Sequence, residues 1–283
     1  MVLEAAKRPE GSTLIGQGRT AEIWQHEGTT ILKLYRNDVP VQDMEREYKI
    51  SQYVHSRGVP TPQPLEWLDT GEQRGIVYQQ IHGPSLLKLI GKAPWKARQY
   101  GRQLAGLHCE LHAVEAGEDI GRQKEHLRWN ITAAPMLGTE EKTRILAGLD
   151  QLPEGRRLCH GDFHPDNVLL DGQLWVIDWM NGIAGEPAAD AARSWLLCSV
   201  GTPPPGSSLF MRWVLKFIRL GLCGAYTKEY LRLSGYSLSE LERWIVPVAA
   251  ARLNEGVPVS EKEQLVRIIR KRLQAEDKKQ TRH

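Results

Sequence analysis

Residues 158–179, LCHGDFHPDNVLLDGQLWVIDW, constrain this chain more than any other stretch, because they read as a polar loop, a tight hairpin and an acidic exit. Asp171-Gly172 between two apolar runs is the signal of a two-residue hairpin loop with positive φ. That loop pairs Leu170 with Gln173, Val168 with Trp175 and Asn167 with Val176. Asn167 and Asp178 then become diagonal neighbours at the open end of the ladder, about 7–8 Å apart at the backbone. Side chains leaning inward from that separation can share one cation. Oxygen donors, one or two to a site and completed by phosphate and water, suit Mg²⁺. Asp162 is left over in the loop before the first strand, where a carboxylate not spent on metal can orient a substrate hydroxyl and take its proton.

An aspartate, an asparagine five positions later and a metal-binding aspartate beyond a hairpin follow the order of phosphoryl transfer. His160-Gly161-Asp162 with Asn167, then Ile177-Asp178-Trp179, resembles the aminoglycoside phosphotransferase and choline kinase family of small-molecule kinases, relatives of the protein kinases. Any one of these acids, taken singly, reads as the solvated end of a buried hairpin; the spaced set carries the resemblance. Gly161 stands where protein kinases have the arginine of H-R-D, Asp178-Trp179-Met180 replaces D-F-G, and no A-P-E follows. These departures argue against an activation segment that docks a protein substrate.

Upstream, Gly16 and Gly18 in LIGQGRTAEIW would let a strand-turn-strand bring backbone N–H groups close to phosphates, although these residues alone fit an ordinary hairpin equally well. Ala21 stands where a kinase-type loop has its third glycine. Residues 29–35, TTILKLY, read as a strand with Lys33 inside it, and a strand lysine by itself is a solvated one. Residues 41–56 read as a helix whose apolar line runs through Met44, Tyr48 and Ser51, with Glu47 on that side. The resemblance implies that Lys33 binds the α and β phosphates, that Glu47 is its ion-pair partner, and that backbone near Ile81 binds the base. It also implies Mg²⁺ on Asn167 and Asp178, ATP as co-substrate with GTP left open, and Asp162 as the catalytic base.

Composition narrows the class. With 41% hydrophobic and 25% charged residues and a net charge of +3, nothing in the chain calls for nucleic acid or a membrane surface as partner. Cys109, Cys159, Cys198 and Cys223 form no C-x-x-C pair, so they are expected as reduced thiols in a cytoplasmic protein. The first residues lack an apolar signal core. The apolar run 209–222 is interrupted by Arg212, Lys216 and Arg219 and reads as an amphipathic helix packed on the domain.

Residues 94–115 read as a long helical region with Leu104, Leu107, Leu111 and Val114 at core spacing. His108 and His112 on it are spaced i, i+4, but Glu110 is not placed as in H-E-x-x-H and no third ligand is visible, so they are expected as packed or surface histidines. Glu186-Pro187-Ala188-Ala189-Asp190 opens another helix, and the resemblance makes Asp190 a brace for the catalytic loop. Pro203 to Pro205 would break the helices that follow; Ser237 with Glu240 and Ser260 with Glu263 read as capping boxes. The expected fold is α+β: a protein-kinase-like two-lobed fold, with a small mainly β nucleotide-binding lobe at 1–82 and a larger mainly helical catalytic and acceptor-binding lobe at 83–283. The expected activity is phosphoryl transfer from ATP to a hydroxyl of a small molecule. The rivals are a nucleotide-binding pseudoenzyme of the same fold and, further off, a protein kinase. Residues 191–228 hold no Asp or Glu but include Arg193, Arg212, Lys216, Arg219 and Lys228, which favours a neutral or anionic acceptor over a polycation, unless Glu118, Asp119, Glu140, Glu141 or the last helices supply an acidic wall. Oligomeric state is left open.

Overall fold

The computed structural model describes residues 12–71, 73–200 and 208–280. The chain begins with β1 (Leu14–Gln17), β2 (Ala21–Gln25), β3 (Thr30–Tyr35), α1 (Val41–Ser56), β4 (Pro64–Asp69) and β5 (Arg74–Gln79). It continues through α2 (Leu86–Lys92), α3 (Ala97–His112), α4 (Gln123–Ala133), α5 (Thr139–Asp150), β6 (Arg157–Cys159), β7 (Val168–Asp171), β8 (Gln173–Val176) and β9 (Ile183–Gly185). It ends in α6 (Pro187–Ser199), α7 (Leu209–Ser234), α8 (Leu238–Arg252) and α9 (Val259–Gln280). An antiparallel sheet at the start is followed by a mostly helical remainder.

Packing groups the chain into two compact units, Met1–Leu86 with Asp166–Gly182, and Leu87–Pro165 with Ile183–His283. In the first, five antiparallel strands run in the order β1-β2-β3-β5-β4. Strand alternation gives β3 two faces. Leu32 and Leu34 pack with Val77 on one, while Tyr35 joins Ile76, Tyr78 and Met44 of α1 on the other. Lys33 lies opposite Ile76 in the ladder. It therefore shares the face that α1 covers, and the buried side of α1 carries Met44, Glu47, Ile50, Ser51 and Val54. A lysine placed by strand period and a glutamate placed by helix period are thus brought to one spot.

The β7–β8 hairpin belongs to this unit although it lies far along the chain. Val176 N–H donates to the Pro60 carbonyl at 2.8 Å and Leu170 N–H to the Pro84 carbonyl at 3.0 Å, so both strands are tied to the proline-bearing connectors. Trp179, buried, donates its indole N–H to the Thr61 hydroxyl at 3.0 Å. Its register differs from the expected one. Leu170 pairs with Leu174 and Val168 with Val176, one residue out of step with a two-residue loop. That loop needs two residues at positive φ, and only Gly172 has it, at +67°, so Asp171 stays in the ladder opposite Gln173.

In the second unit α3 packs against α7, α6 against α8, and α8 against α9. Leu104 and Leu111 of α3, Tyr226 and Tyr230 of α7 and Trp244 of α8 are almost completely buried. The long helical region expected at 94–115 comprises a short 3₁₀ turn at Pro94–Lys96 followed by α3, and Val114 lies beyond its end. Ser237 and Glu240 do form a capping box on α8. Ser260 does not cap α9: the helix starts one residue earlier at Val259, and the Pro258 carbonyl receives the Glu261 and Lys262 N–H groups. The expected break at Pro203 to Pro205 lies outside the described residues. All four cysteines are free thiols. Among the described residues no helix is long and apolar enough to cross a membrane.

Candidate active site

In the first unit the Lys33 ammonium is held between two carboxylates. Its Nζ donates to Glu47 Oε1 at 2.5 Å and to Asp178 Oδ1 at 2.8 Å. Tyr35, two residues along β3 on the same face, donates its hydroxyl to Glu47 Oε2 at 2.7 Å. Burial alone would push the lysine down, but the charges of Asp178 and Glu47 outweigh it and leave the Lys33 pKa raised. Glu47 is held only by its partners: burial pushes its carboxyl up, with the Lys33 charge the chief force against that. Asp178 is the member of the trio that faces solvent, its side chain 39% exposed against 10% for Lys33.

Asp178 lies in left-handed backbone, φ 68° and ψ 70°. For a residue with a Cβ this costs about 1–2 kcal/mol, and such strain collects at functional positions. It also ends the strand alternation on which the diagonal pairing of Asn167 and Asp178 was argued. Asn167 closes a 3₁₀ turn, Pro165–Asn167, and its carbonyl accepts the Ile177 N–H at 3.0 Å. Directly opposite Ile177 rather than diagonal to Asp178, the buried amide of Asn167 and the carboxylate of Asp178 both belong to this unit. One amide and one partly exposed carboxylate, both hard oxygen donors, fit Mg²⁺.

The two glycines near the start are not required by the fold. Gly16 and Gly18 have no positive φ, and a Cβ at either would meet its nearest neighbour at 3.6 Å, an ordinary contact. Gly18 closes the turn by donating its N–H to the Ala21 carbonyl at 2.8 Å. Ile81 lies just past β5, half-buried.

In the second unit one buried aspartate organises the loop at 160–162. Asp190, on the first turn of α6, accepts the His160 N–H at 2.7 Å and the Gly161 N–H at 3.0 Å. The same carboxylate lies 3.1 Å from His108 Nε2 and 3.3 Å from His112 Nε2, and the other ring nitrogens pair with the Tyr226 and Tyr230 hydroxyls at 2.8 and 2.9 Å. The third group that sequence reading did not find beside the histidines is therefore Asp190, on α6, 78 positions beyond His112. Every ring nitrogen already has a hydrogen-bond partner, so the cluster is built as a brace. Burial, then His112, push His108 down to about 3, against the pull of Asp190, so near neutral pH it gives Asp190 a hydrogen bond rather than a charge. Gly161 sits at φ 73°, left-handed backbone that an arginine would occupy only at a cost; this accounts for the glycine in place of H-R-D.

Asp162 is reached by His164 Nε2 at 3.4 Å and Arg193 Nη2 at 3.7 Å. Burial pushes its carboxyl up, but the hydrogen bond from His164 and the charge of Arg193 together bring it well below the usual range, so it is ionised at neutral pH. Sequence reading counted Arg193 as a bare wall charge. Instead Glu255, just past α8, grips it with both carboxylate oxygens, at 2.6 and 3.2 Å. No spacing rule joins residues 62 positions apart.

A sequence model described as the phosphotransferase enzyme family matches residues 13–236. The chain belongs to this family. The fold is shared with an aminoglycoside-3'-phosphotransferase of type VIII, at 19% identity over 86% of this chain and 92% of that one, TM-score 0.60. It is also shared with an aminoglycoside phosphotransferase from Streptomyces rimosus in complex with ADP and streptomycin, at 17% identity over 87% and 93%, TM-score 0.57. A choline/ethanolamine kinase family protein from Mesorhizobium loti aligns at 16% identity over 95% and 89%, TM-score 0.52. Among curated protein sequences none matched. By family the chain is a phosphotransferase.

Proposed function

We propose that this phosphotransferase uses Mg²⁺ and transfers the γ-phosphoryl group of ATP to a hydroxyl of a small neutral or anionic molecule. The observation that carries the reading is the Lys33 ammonium fixed between Glu47 and Asp178, a cation preset for phosphate oxygens beside a carboxylate open to a metal. Gly16 and Gly18, which the fold itself does not need, leave backbone room for phosphate to approach. Backbone at Ile81 holds the base. Asn167 and Asp178 would hold Mg²⁺, which when bound neutralises charge on the β and γ phosphates. Asp162, ionised and steadied by Arg193 and His164, orients the acceptor hydroxyl and accepts its proton at a carboxylate oxygen as the oxygen attacks phosphorus. In functional terms residues 1–82 handle the nucleotide, and 83–283 bring the metal, the base and the acceptor, even though packing groups 166–182 with the first unit.

The acceptor class rests on charge. Glu255, in the connector after α8, is committed to Arg193 and to Arg252 at 2.8 Å, and Arg252 in turn to Glu261. A polycation would have to break these pairs. The test is a panel of neutral polyols and sugars, sugar acids, aminoglycosides and a generic protein substrate, each with Mg-ATP or Mg-GTP, followed by Asp162→Asn. Phosphomonoester formation on a neutral or anionic compound is expected, with turnover falling about 10²-fold or more in the variant and nucleotide affinity unchanged. Turnover of aminoglycosides alone would overturn the acceptor class. Nucleotide binding with no transfer to any acceptor would make the protein a binding module.

A further inference from the structure

α6 reaches the loop at 160–162 twice from one face. Asp190 holds the backbone of His160 and Gly161, and Arg193, one turn further on, places Nη2 3.7 Å from Asp162 Oδ1. At that separation the contact is an ion pair without a hydrogen bond. The reason lies on the far side of the guanidinium. Glu255 takes Nη1 at 2.6 Å and Nη2 at 3.2 Å, and is itself fixed by Arg252 Nη1 at 2.8 Å, with Arg252 Nε on Glu261 at 2.8 Å. Charges therefore alternate along a row, Asp162, Arg193, Glu255, Arg252, Glu261. Its last three members lie beyond residue 236, where the family match ends.

We infer that Arg193 is a positioning residue for the base and that Glu255 sets how closely it approaches. Held by Glu255, the guanidinium orients the Asp162 carboxylate by charge yet stays too far away to fork it. Released, it would turn its planar pair of N–H groups onto Asp162, the geometry arginine and carboxylate prefer, and occupy the oxygens that must receive the acceptor proton. Removed, it would deprive the Asp162 carboxylate of the charge that orients it, although His164 Nε2 stays 3.4 Å away. The inference rests on the reading of Asp162 as the base.

The variants are Glu255→Gln, Arg193→Gln and the double variant, assayed as ADP release from Mg-ATP with water as acceptor, beside Asp162→Asn. Arg193→Lys, which keeps charge but not the fork, stands in if Arg193→Gln folds poorly. Each single variant is expected to lose about 10- to 100-fold in kcat, the scale of a misplaced reacting group, with KM for ATP unchanged. The double variant should be no slower than Arg193→Gln, because Glu255 acts only through Arg193. Normal kcat in Glu255→Gln and Arg193→Gln, with only a lower Tm, would reduce the row to a staple between α6 and the end of α8 and overturn the inference while Asp162 keeps its role. Losses that multiply in the double variant would overturn it as well. Unchanged ADP release in Asp162→Asn, or none in the wild type, would remove the base and the inference together.

Discussion

At Asp178 one residue serves two demands that pull apart, a left-handed backbone and a carboxylate. Asp178→Ala and Asp178→Gly both lose the carboxylate, so both should abolish the Mg²⁺-dependent part of nucleotide binding, read by calorimetry with and without the ion; an unchanged Mg²⁺ effect would move the metal elsewhere. Their stabilities should differ. Glycine accepts φ near 68° freely, and Asp178→Gly should be about 1 kcal/mol more stable than Asp178→Ala, measured by denaturant unfolding. Tyr35→Phe tests the other end of the trio. It strips one donor from a carboxylate that is 1% exposed, and a buried acceptor left without its bond costs about 1–3 kcal/mol. The Lys33–Glu47 ion pair was expected from the resemblance, and the structure forms it. Tyr35, Arg193 and Glu255 were not legible, since a strand tyrosine, a helix arginine and a loop glutamate carry no signal until folding brings their partners.

Elements were easier to read than their ends and registers. α1 spans 41–56 as the sequence indicates, because apolar period, length and the following Gly58 agree. The hairpin was found but its register slipped by one, since Asp-Gly marks a turn without saying how many of its residues go left-handed. Gly83 gives this element a test of its own. A Cβ there would lie 1.9 Å from the Leu170 carbonyl oxygen, and backbone cannot yield as a side-chain tip does. Gly83→Ala should therefore destabilise the first unit by about 1–3 kcal/mol, the usual cost of overpacking. Gly91→Ala, where a Cβ meets nothing within 4 Å, is the matched control in the same thermal melts.

For the molecule as a whole, the α+β plan followed from the resemblance, but the wiring of its interior could not be read from the sequence. The His108–His112–Asp190 brace shows why: two residues sit one turn apart, the third belongs to another helix, and only packing joins them. The brace has a consequence for pH. His108 titrates at about 3 when folded and near 6.5 in an unfolded chain, chiefly through burial. Between those values the unfolded state binds the extra proton, so stability is fully present above about pH 6.5 and falls on acidification, by up to about 1.4 kcal/mol per pH unit. Melts from pH 7.5 to 5 should show that slope, and His108→Gln should flatten it. The hairpin has a different consequence, in the order of synthesis. The sheet of the first unit leaves the ribosome with Leu86, yet Asp166–Gly182, which supplies the donors for the Pro60 and Pro84 carbonyls and the second carboxylate for Lys33, is still to be made. At about 5–20 residues per second the segment is complete roughly 5 to 19 s later. Through that interval the nascent sheet has Lys33 paired to Glu47 alone and a bare docking surface where Trp179 will sit, a window in which a chaperone has something to hold.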